Sequence, residues 1–348
     1  MRCVYFFALV AFLGGLGCSK SATQSPKITV YTSRHYVADD SLYKHFTRET
    51  GIRIFVVKNK DDILIDRLAT EGAQSNADVL ITADAGRLHR AKELGLLQPI
   101  ESKLLAKLVD KSLRDPYNHW YALTMRARVL VYRSDFDTQS LRNYLDLADP
   151  RWHGSILVRK SNHVYNQSLV SSVLANYGTR QTKQWLEGLV ANFAREPAGN
   201  DRSQVLAVAK GEGDIAIVNS YYLGKMMSVT SEDDPNWQEQ NEAFKRVRVM
   251  FPDQGSDGQG VHINISGAGV CKYSKNVKES TRFIEFLASD YAQKVFAAAN
   301  YEYPIRENIE VAEILLSWGD FKRDIDSIKN LGIYNKEALK LMQQAGWH

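Results

Sequence analysis

The sequence is poor in cysteine and has no large excess of charge of either sign. It contains 3 cysteines in 348 residues, and 44 basic residues stand against 40 acidic ones, for a net charge of +4. No block of lysine or arginine stands out, so nucleic-acid binding has little support. Cys3 and Cys18 lie at the start of the chain, which leaves Cys271 without a partner and excludes a disulfide framework. Cys271 is expected to be a small buried side chain.

The sequence also lacks the common catalytic signatures. We find no Ser-His-Asp signature, Walker loop, dinucleotide fingerprint or zinc-protease helix. Asp78 and Asp84 could form a pair of catalytic carboxylates, but their places around a strand and the loop after it favour capping and turn formation. An exported enzyme that uses a tyrosine as acid or base stays open, although no partner base supports it. These absences favour a binding protein over an enzyme.

An apolar run from Val4 to Leu16 opens the chain and ends just before Cys18. The run is too short for a membrane span, and it predicts a signal peptide over residues 1–18. Cys18 after a small residue indicates a lipoprotein site, but Gly15 stands where such sites usually have leucine. Lipidation and plain cleavage therefore both stay open. Residues 19–26 are small and polar, which predicts a flexible tether, and we expect the protein in the periplasm, with or without a lipid anchor.

From Lys27 onward the pattern alternates between β-rich runs and amphipathic stretches. The predicted strands cover residues 28–32, 52–57, 78–82, 123–132, 156–158, 214–218 and 247–251. The predicted helices cover residues 39–50, 61–71, 84–94, 165–177, 180–192 and 202–210, and a mostly helical tail from residue 279 is broken near Pro304 and Gly332. Strand and helix in alternation predict an α/β fold with a parallel sheet and right-handed crossovers.

Two of these helices carry more detailed expectations. Asp39 and Asp40 can cap the first helix, and Gly51 follows its last residue, where a left-handed glycine often ends a helix. In the second helix, Ile63, Leu64 and Leu68 are expected on one apolar face.

The chain is too long for one small core and fits two lobes of ordinary domain size. The long β-rich segment at 123–132 is expected to cross into a second lobe, and the strand at 247–251 to return. The expected bounds are 27–125 and 252–300 for lobe 1, 126–251 for lobe 2, and 301–348 for C-terminal helices that pack on the lobes. Two α/β lobes behind an export signal predict a type II periplasmic binding protein, a venus-flytrap fold that closes by hinge motion.

Two adjacent tyrosines, Tyr221 and Tyr222, stand where a predicted strand gives way to a helix. Neighbouring side chains diverge along a strand or a helix, so burying both rings for packing alone is awkward. Open α/β sheets bind ligands at the carboxyl ends of their strands, which would aim both rings at one crevice. The alternative is that the two rings lie on opposite faces of the first helical turn.

Two other loops place aromatic residues at equivalent points. His35 and Tyr36 follow the first strand, and Tyr165 begins a helix after the strand at 156–158. Because each site follows a strand's carboxyl end, the three loops are expected to converge on one cleft.

Several segments, in this order and behind a signal, resemble one family along nearly the whole mature chain. They are Tyr31-Thr-Ser-Arg-His-Tyr36, Ala77-Asp-Val-Leu-Ile-Thr-Ala-Asp84, Asp149-Pro-Arg-Trp-His-Gly154, Gly199-Asn-Asp-Arg202, Gly211-Glu-Gly-Asp-Ile215, Asn219-Ser-Tyr-Tyr-Leu-Gly224 and Val261-His-Ile-Asn-Ile-Ser-Gly-Ala-Gly269. The chain is similar to the periplasmic ferric-iron-binding proteins of ABC transporters, a group of bacterial solute-binding proteins, and closest to its tyrosine-rich branch. The resemblance implies that the metal ligands are His35, Tyr36, Tyr165, Tyr221 and Tyr222. It also implies a monomer that delivers Fe³⁺ to an inner-membrane ABC permease with its ATPase.

The chemistry of these residues agrees with an iron cargo. Fe³⁺ is a hard acid that prefers anionic oxygen and tolerates imidazole, whereas Fe²⁺ binds phenolate less strongly but stays open as cargo. A free tyrosine has a pKa of about 10, so it becomes a phenolate at neutral pH only when a strong cation displaces its proton. Nearby cations would offset the charge of four phenolates, and the candidates are Arg34, Arg126, Arg128 and Arg202. If one ring points away, carbonate or water could fill its place against an arginine.

A second hypothesis keeps the fold and changes the cargo. The tyrosines would then hold a small organic or oxyanion solute by stacking and hydrogen bonds. His163 and His262 could add further ligands, but their positions favour structural or supporting roles.

Overall fold

The computed structural model describes residues 25–348, so the predicted signal peptide, Cys18 and most of the predicted tether lie outside the described residues. The strands are β1 Lys27–Thr32, β2 Arg53–Lys58, β3 Val79–Thr82, β4 Leu97–Gln98, β5 Tyr121–Arg133, β6 Ile156–Leu157, β7 Ile215–Asn219, β8 Val247–Met250, β9 Val261–Cys271, β10 Tyr303–Pro304 and β11 Arg323–Asp324. The helices are α1 Val37–Thr50, α2 Asp61–Glu71, α3 Ala85–Glu93, α4 Lys103–Leu108, α5 Val164–Ala191, α6 Asp201–Lys210, α7 Tyr221–Ser228, α8 Trp237–Arg246, α9 Val277–Leu287, α10 Asp290–Asn300, α11 Glu313–Ser317 and α12 Asn335–Gln344. Among these helices, none has the length and apolar character that a membrane crossing requires.

The strands form one continuous path in the order β2-β1-β3-β9-β5-β7-β6. The predicted parallel pairing is confirmed where β1 lies between β2 and β3, and again where β6 lies beside β7. The middle of the path differs from the expectation, because β9 runs antiparallel to β3 and β5, and β5 runs antiparallel to β7. The α/β class is therefore correct, but the sheet is mixed.

Strand β5 belongs to two parts of this path. Its first residues, Tyr121 to Ala127, pair with β9, and its last residues, from Arg128 to Arg133, lie between β7 and β8. We call the strands on the β9 side the first half-sheet and those on the β7 side the second half-sheet. The crossing expected at 123–132 is thus a single strand shared by both, while the exact lobe bounds remain a prediction.

The sequence predicts that the strand at 247–251 returns the chain to the first lobe, but β8 does not. It pairs with β5 in the second half-sheet, with Leu130 opposite Met250. The return follows it, when β9 pairs with β5 and then with β3. A short apolar run shows that a strand forms but carries no information about its neighbour, which explains the error.

The C-terminal residues 301–348 contain fewer helices than expected. Besides α11 and α12, they contribute two short strands, β10 on β5 and β11 on β9. Pro304 lies in β10, within the break between α10 and α11, so the helix break predicted near it is confirmed. Helix α12 packs on α5, and the buried Trp347 after it donates its indole N–H to the carbonyl of Arg159 at 2.9 Å.

Most helix ends match the sequence prediction, but the start of α1 and the buried face of α2 differ from it. Gly51 ends α1 with φ 72°, and Gly178, with φ 74°, divides α5 into the two helices that were predicted. Helix α1 begins at Val37, earlier than expected, and neither aspartate caps it, because Asp39 binds the Arg34 guanidinium and Asp40 pairs with Lys58. On α2, Ile63 is 48% exposed. The buried face there is formed by Leu64, Ile65 and Leu68.

Candidate metal centre

The five candidate ligands stand at strand ends on both sides of a cleft. His35 and Tyr36 join β1 of the first half-sheet to α1. From the second half-sheet, Tyr165 lies in the first turn of α5, after β6, and Tyr221 and Tyr222 open α7, after β7. Parallel strands β6 and β7 end at the same edge, so their helices begin side by side and face the loop after β1.

The four tyrosines meet in this cleft. The hydroxyls of Tyr165 and Tyr221 are 3.3 Å apart, and the rings of Tyr221 and Tyr222 stack with centroids 4.4 Å apart. Tyr36 reaches across from the other side, with its ring centroid 6.4 Å from that of Tyr221 in an edge-to-face arrangement. The adjacent tyrosines therefore share one face at the start of α7, and the reading that places them on opposite faces is wrong.

His35 is the exposed member of the set. Its ring centroid lies 5.2 Å from that of Tyr36, and its Nδ1 is 3.4 Å from the Ser33 carbonyl oxygen. The structure therefore places His35 beside Tyr36 at the mouth of the cleft, on the border of both cavities described below.

Burial raises the pKa of Tyr36, Tyr221 and Tyr222. Desolvation is the first cause of a raised pKa at Tyr36 and Tyr221, and the neighbouring phenols raise it further. The pKa of Tyr222 is raised to about 12, again chiefly by burial and then by Tyr165. Four phenol oxygens held together repel one another as anions, so they can all ionise only if a strong cation joins them.

The arginines predicted around the site differ in their state. The Arg34 guanidinium lies 4.9 Å from the Tyr36 ring centroid, but it is ion-paired with Asp39 at 2.8 Å and Glu302 at 2.9 Å. Arg128 lies 5.8 Å from the Tyr165 ring centroid and binds Asp201 at 2.5 Å. Both charges are largely neutralised before any ligand arrives.

Arg126 is the arginine whose charge is least matched. It is 2% exposed, lies 5.2 Å from the Tyr165 ring centroid, and donates a hydrogen bond to the Ala83 carbonyl. Its guanidinium forms no ion pair with a carboxylate among residues 25–348. Burial opposes its charge, but Tyr165, Tyr221, Asp84 and Glu302 together raise its pKa.

Arg202 lies farther out. It sits on α6, 3.8 Å from the Asp234 carboxylate, and lines the same cavity as His35 and Tyr36 without stacking on a candidate ligand ring.

Two cations near the phenols were missed in the sequence. Arg159 stacks 5.5 Å from the Tyr165 ring centroid and shares Asp201 with Arg128. The Lys225 ammonium lies 3.5 Å from the Tyr36 ring centroid, and burial lowers its pKa to about 8. Lys225 could have been found, because it follows Tyr221 and Tyr222 by one helical turn. Arg159 could also have been found, because it directly follows the strand predicted at 156–158, in the loop that leads to Tyr165.

Other candidates have structural roles. His163 accepts a hydrogen bond from the backbone N–H of Tyr165, and burial lowers its pKa to about 3. His262 is 2% exposed within β9. Asp84 caps α3 as expected, whereas Asp78 instead accepts the backbone N–H of Thr29 at 2.8 Å. The described residues contain no cluster of three or more histidine, cysteine, aspartate or glutamate side chains that could hold a metal ion.

Two open cavities flank the phenols. The larger, of about 700 Å³, runs between the loops after β1 and β2 and the start of α5, and it reaches Tyr36 and Tyr165. The smaller, of about 580 Å³, lies between α1 and α10 on one side and α6 and α7 on the other. The cleft is therefore open to solvent on both sides of the tyrosine cluster.

Comparison with known families decides the class of protein. A model of the family described as bacterial extracellular solute-binding protein matches residues 74–324, which is more than half of the chain. The chain belongs to this family of solute-binding proteins. The assignment confirms the predicted binding-protein class and the two-lobe fold, and it identifies the protein as a binding protein rather than an enzyme.

Several relatives and solved structures are similar to this solute-binding protein. It is 42% identical over 325 residues to iron uptake protein A1 of Synechocystis, which covers 93% of this chain and 88% of that protein. A solved structure of a Trichodesmium protein named FutA, in complex with iron and citrate, superposes with a TM-score of 0.86 at 41% identity, over 92% of this chain and 100% of that one. A ferric binding protein from Campylobacter jejuni gives a TM-score of 0.86 at 36% identity, with 92% and 100% of the two chains covered.

Proposed function

We propose that this solute-binding protein captures Fe³⁺ in its cleft through the phenolates of Tyr36, Tyr165, Tyr221 and Tyr222, with His35 as a fifth ligand. The observation that carries the proposal is the meeting of phenols from three separate segments, with two hydroxyls 3.3 Å apart. Protein cores rarely place four phenols together, because their oxygens need partners when buried. A hard trivalent cation supplies that partner to all of them at once.

The cations around the site support an anionic ligand cluster. Arg126 and Lys225 face the phenol rings and form no ion pair with a carboxylate in the described part of the chain. Their charges would offset phenolates but would be poorly matched against neutral phenols. The relatives named above are iron uptake and ferric binding proteins, which points to the same cargo.

The transport role extends this proposal. The protein would work in the periplasm as a monomer, pass iron to an inner-membrane ABC permease with its ATPase, and use Cys18 as an anchor if that residue is lipidated. Carbonate or water could complete the iron shell beside Arg126 if one of the five ligands stays away.

The test is a titration of metal-free protein with a ferric chelate, followed by visible absorbance. Fe³⁺ bound by phenolate gives a purple-to-red charge-transfer band, and Tyr221→Phe and Tyr222→Phe should each weaken the band and the affinity. Tyr117→Phe is the matched control, because Tyr117 is 71% exposed and lines neither of the two cavities. If the cleft variants keep the colour and affinity of the parent, the ligand assignment is wrong. If the parent stays colourless but binds a small organic or oxyanion solute, that second cargo replaces iron.

A further inference from the structure

The wall of the smaller cavity contains a close approach between α7 and the residue after α10. Helix α7 has no side chain at Gly224, and the ring of Tyr301 occupies the space that a side chain would take. A Cβ built on Gly224 would lie 2.6 Å from Cδ1 and 2.7 Å from Cβ of Tyr301. Because Cβ is fixed by the backbone, rotating the tyrosine ring cannot relieve the overlap. The position accepts only glycine while Tyr301 stays where it is.

Tyr301 holds this place with an unusual backbone. It ends α10 in the left-handed conformation, with φ 56° and ψ 32°, where glycine is the usual residue. An aromatic residue rarely adopts that conformation, because it brings Cβ too close to the following carbonyl oxygen. A tyrosine at this position indicates that the packing of its ring against α7 offsets the unfavourable backbone conformation.

The two residues come from opposite sides of the cleft. Helix α7 follows β7 of the second half-sheet, whereas Tyr301 precedes β10, which pairs with β5 at Met125 in the first half-sheet. The next residue of α7 also crosses the cleft, because the Lys225 ammonium lies 3.5 Å from the Tyr36 ring centroid. One turn of α7 therefore contacts the opposite lobe twice, through the backbone of Gly224 and through the Lys225 ammonium.

We propose that Gly224 and Tyr301 form the contact that sets how closely the two lobes approach when the cleft shuts. The ring of Tyr301 docks on the bare turn of α7, and that distance brings Tyr36 to the Tyr221–Tyr222 pair carried by the same helix. Both residues act by positioning and touch no ligand. The inference rests on the proposed iron function for its affinity readout, but the contact itself can be tested without iron.

The main test is a size exchange. Gly224→Ala should raise the apparent dissociation constant for Fe³⁺ about tenfold or more, because the shut state becomes less populated. It should also reduce the fall in radius of gyration that iron causes in small-angle X-ray scattering. Tyr301→Gly keeps the left-handed backbone and removes the ring, so the double variant Gly224→Ala/Tyr301→Gly should bind iron no worse than Tyr301→Gly alone. Additive losses in the double variant, or a Gly224→Ala protein that binds and shuts as the parent does, would overturn the proposal.

A second glycine provides the matched control. A Cβ on Gly188 of α5 would lie 2.7 Å from the Cβ of Ala148, a clash as tight but confined to elements beside the second half-sheet. Gly188→Ala should lower the melting temperature of the metal-free protein and leave the iron-induced change in radius of gyration intact. Gly224→Ala should instead leave the melting temperature of the metal-free protein close to that of the parent and reduce the iron-induced change in radius of gyration. A purely structural role would lower the melting temperature and leave that change intact.

An iron-independent test separates this contact from the proposed cargo. In the metal-free protein, Gly224→Ala should hold the lobes farther apart and raise the radius of gyration above that of the parent, and adding Tyr301→Gly should restore the parent value, because it removes the Cβ and the ring that clash. A radius that Gly224→Ala leaves unchanged would overturn the closure contact whatever the cargo is. A parent protein that fails to bind Fe³⁺ while Gly224→Ala changes this radius would overturn the iron proposal alone.

Discussion

At the scale of the residue, the charges around the tyrosines fall into two groups. Arg34 and Arg128 are buried and ion-paired with carboxylates, so their main role is to stabilise the fold. Arg126 and Lys225 form no such ion pairs in the described part of the chain and face the phenol rings. The same residue type near one site therefore has different functions, and substitutions should separate them.

Replacing Arg34 should damage the fold before it affects binding. Arg34→Leu leaves the carboxylates of Asp39 and Glu302 buried without a counter-charge, which should lower the free energy of unfolding by about 3–5 kcal/mol. Chemical denaturation of the metal-free protein measures this loss. Lys245→Ala breaks an exposed pair with Glu242 and should change stability by less than about 1 kcal/mol. Equal effects of the two substitutions would show that the Arg34 network is not structural.

Iron binding should release protons and strengthen as the pH rises. In the metal-free protein, burial raises the pKa of Tyr36, Tyr221 and Tyr222, so these phenols are neutral near pH 7. Each phenolate that binds iron gives up one proton, and each proton released makes the affinity rise up to about tenfold per pH unit below the phenol pKa. Potentiometric titration in weak buffer counts the protons. An uptake of iron without proton release would contradict phenolate ligation.

The tyrosines and His35 could be proposed from sequence because each stands at the carboxyl end of a β-rich run. That rule places a residue in the crevice without knowledge of its neighbours. The cations were harder to place. Arg202 lies near Asp234 on the wall of the cavity that Tyr36 also lines, and Arg34 is ion-paired with Glu302, which lies 268 residues away in sequence. Such contacts depend on tertiary packing, which no local pattern records.

At the scale of the element, strands and helices were easier to predict than their partners. The sequence located β1, α2 and both parts of α5 because their apolar periodicity and glycine ends are local signals. It did not reveal that β8 stays on the second half-sheet or that β10 and β11 are strands. The two-residue strands are too short for any periodicity, and pairing is decided by the rest of the sheet.

The break in α5 provides a test at this scale. Gly178 has φ 74° and ψ 170°, a region that residues with a side chain avoid. Gly178→Ala should lower the free energy of unfolding by at least about 1 kcal/mol, although a Cβ there meets no atom within 4 Å. Ala191→Gly, at the end of the same helix, is the control, because it exchanges the same two residue types in α5 away from the break. If Gly178→Ala is as stable as the parent, the division of α5 does not depend on that backbone conformation.

At the scale of the whole molecule, the shared strand β5 connects the phenol site to the boundary between the two half-sheets. β5 pairs with β9 at Ala127 and with β7 at Arg128, so the boundary between the half-sheets falls between two residues. Arg126 and Arg128, which lie under the Tyr165 ring, flank that boundary. Any change in the angle between the lobes must therefore alter the environment of the phenols, and the cargo and the hinge should respond together.

Resonance Raman spectroscopy of the iron-loaded protein, excited within its visible band, tests the central claim most directly. If Fe³⁺ is held by tyrosines from both lobes, the spectrum will be dominated by phenolate ring vibrations, and Tyr36→Phe, Tyr165→Phe, Tyr221→Phe and Tyr222→Phe will each change it, while Tyr117→Phe will not. A loaded protein whose visible spectrum carries no phenolate vibrations would contradict the account.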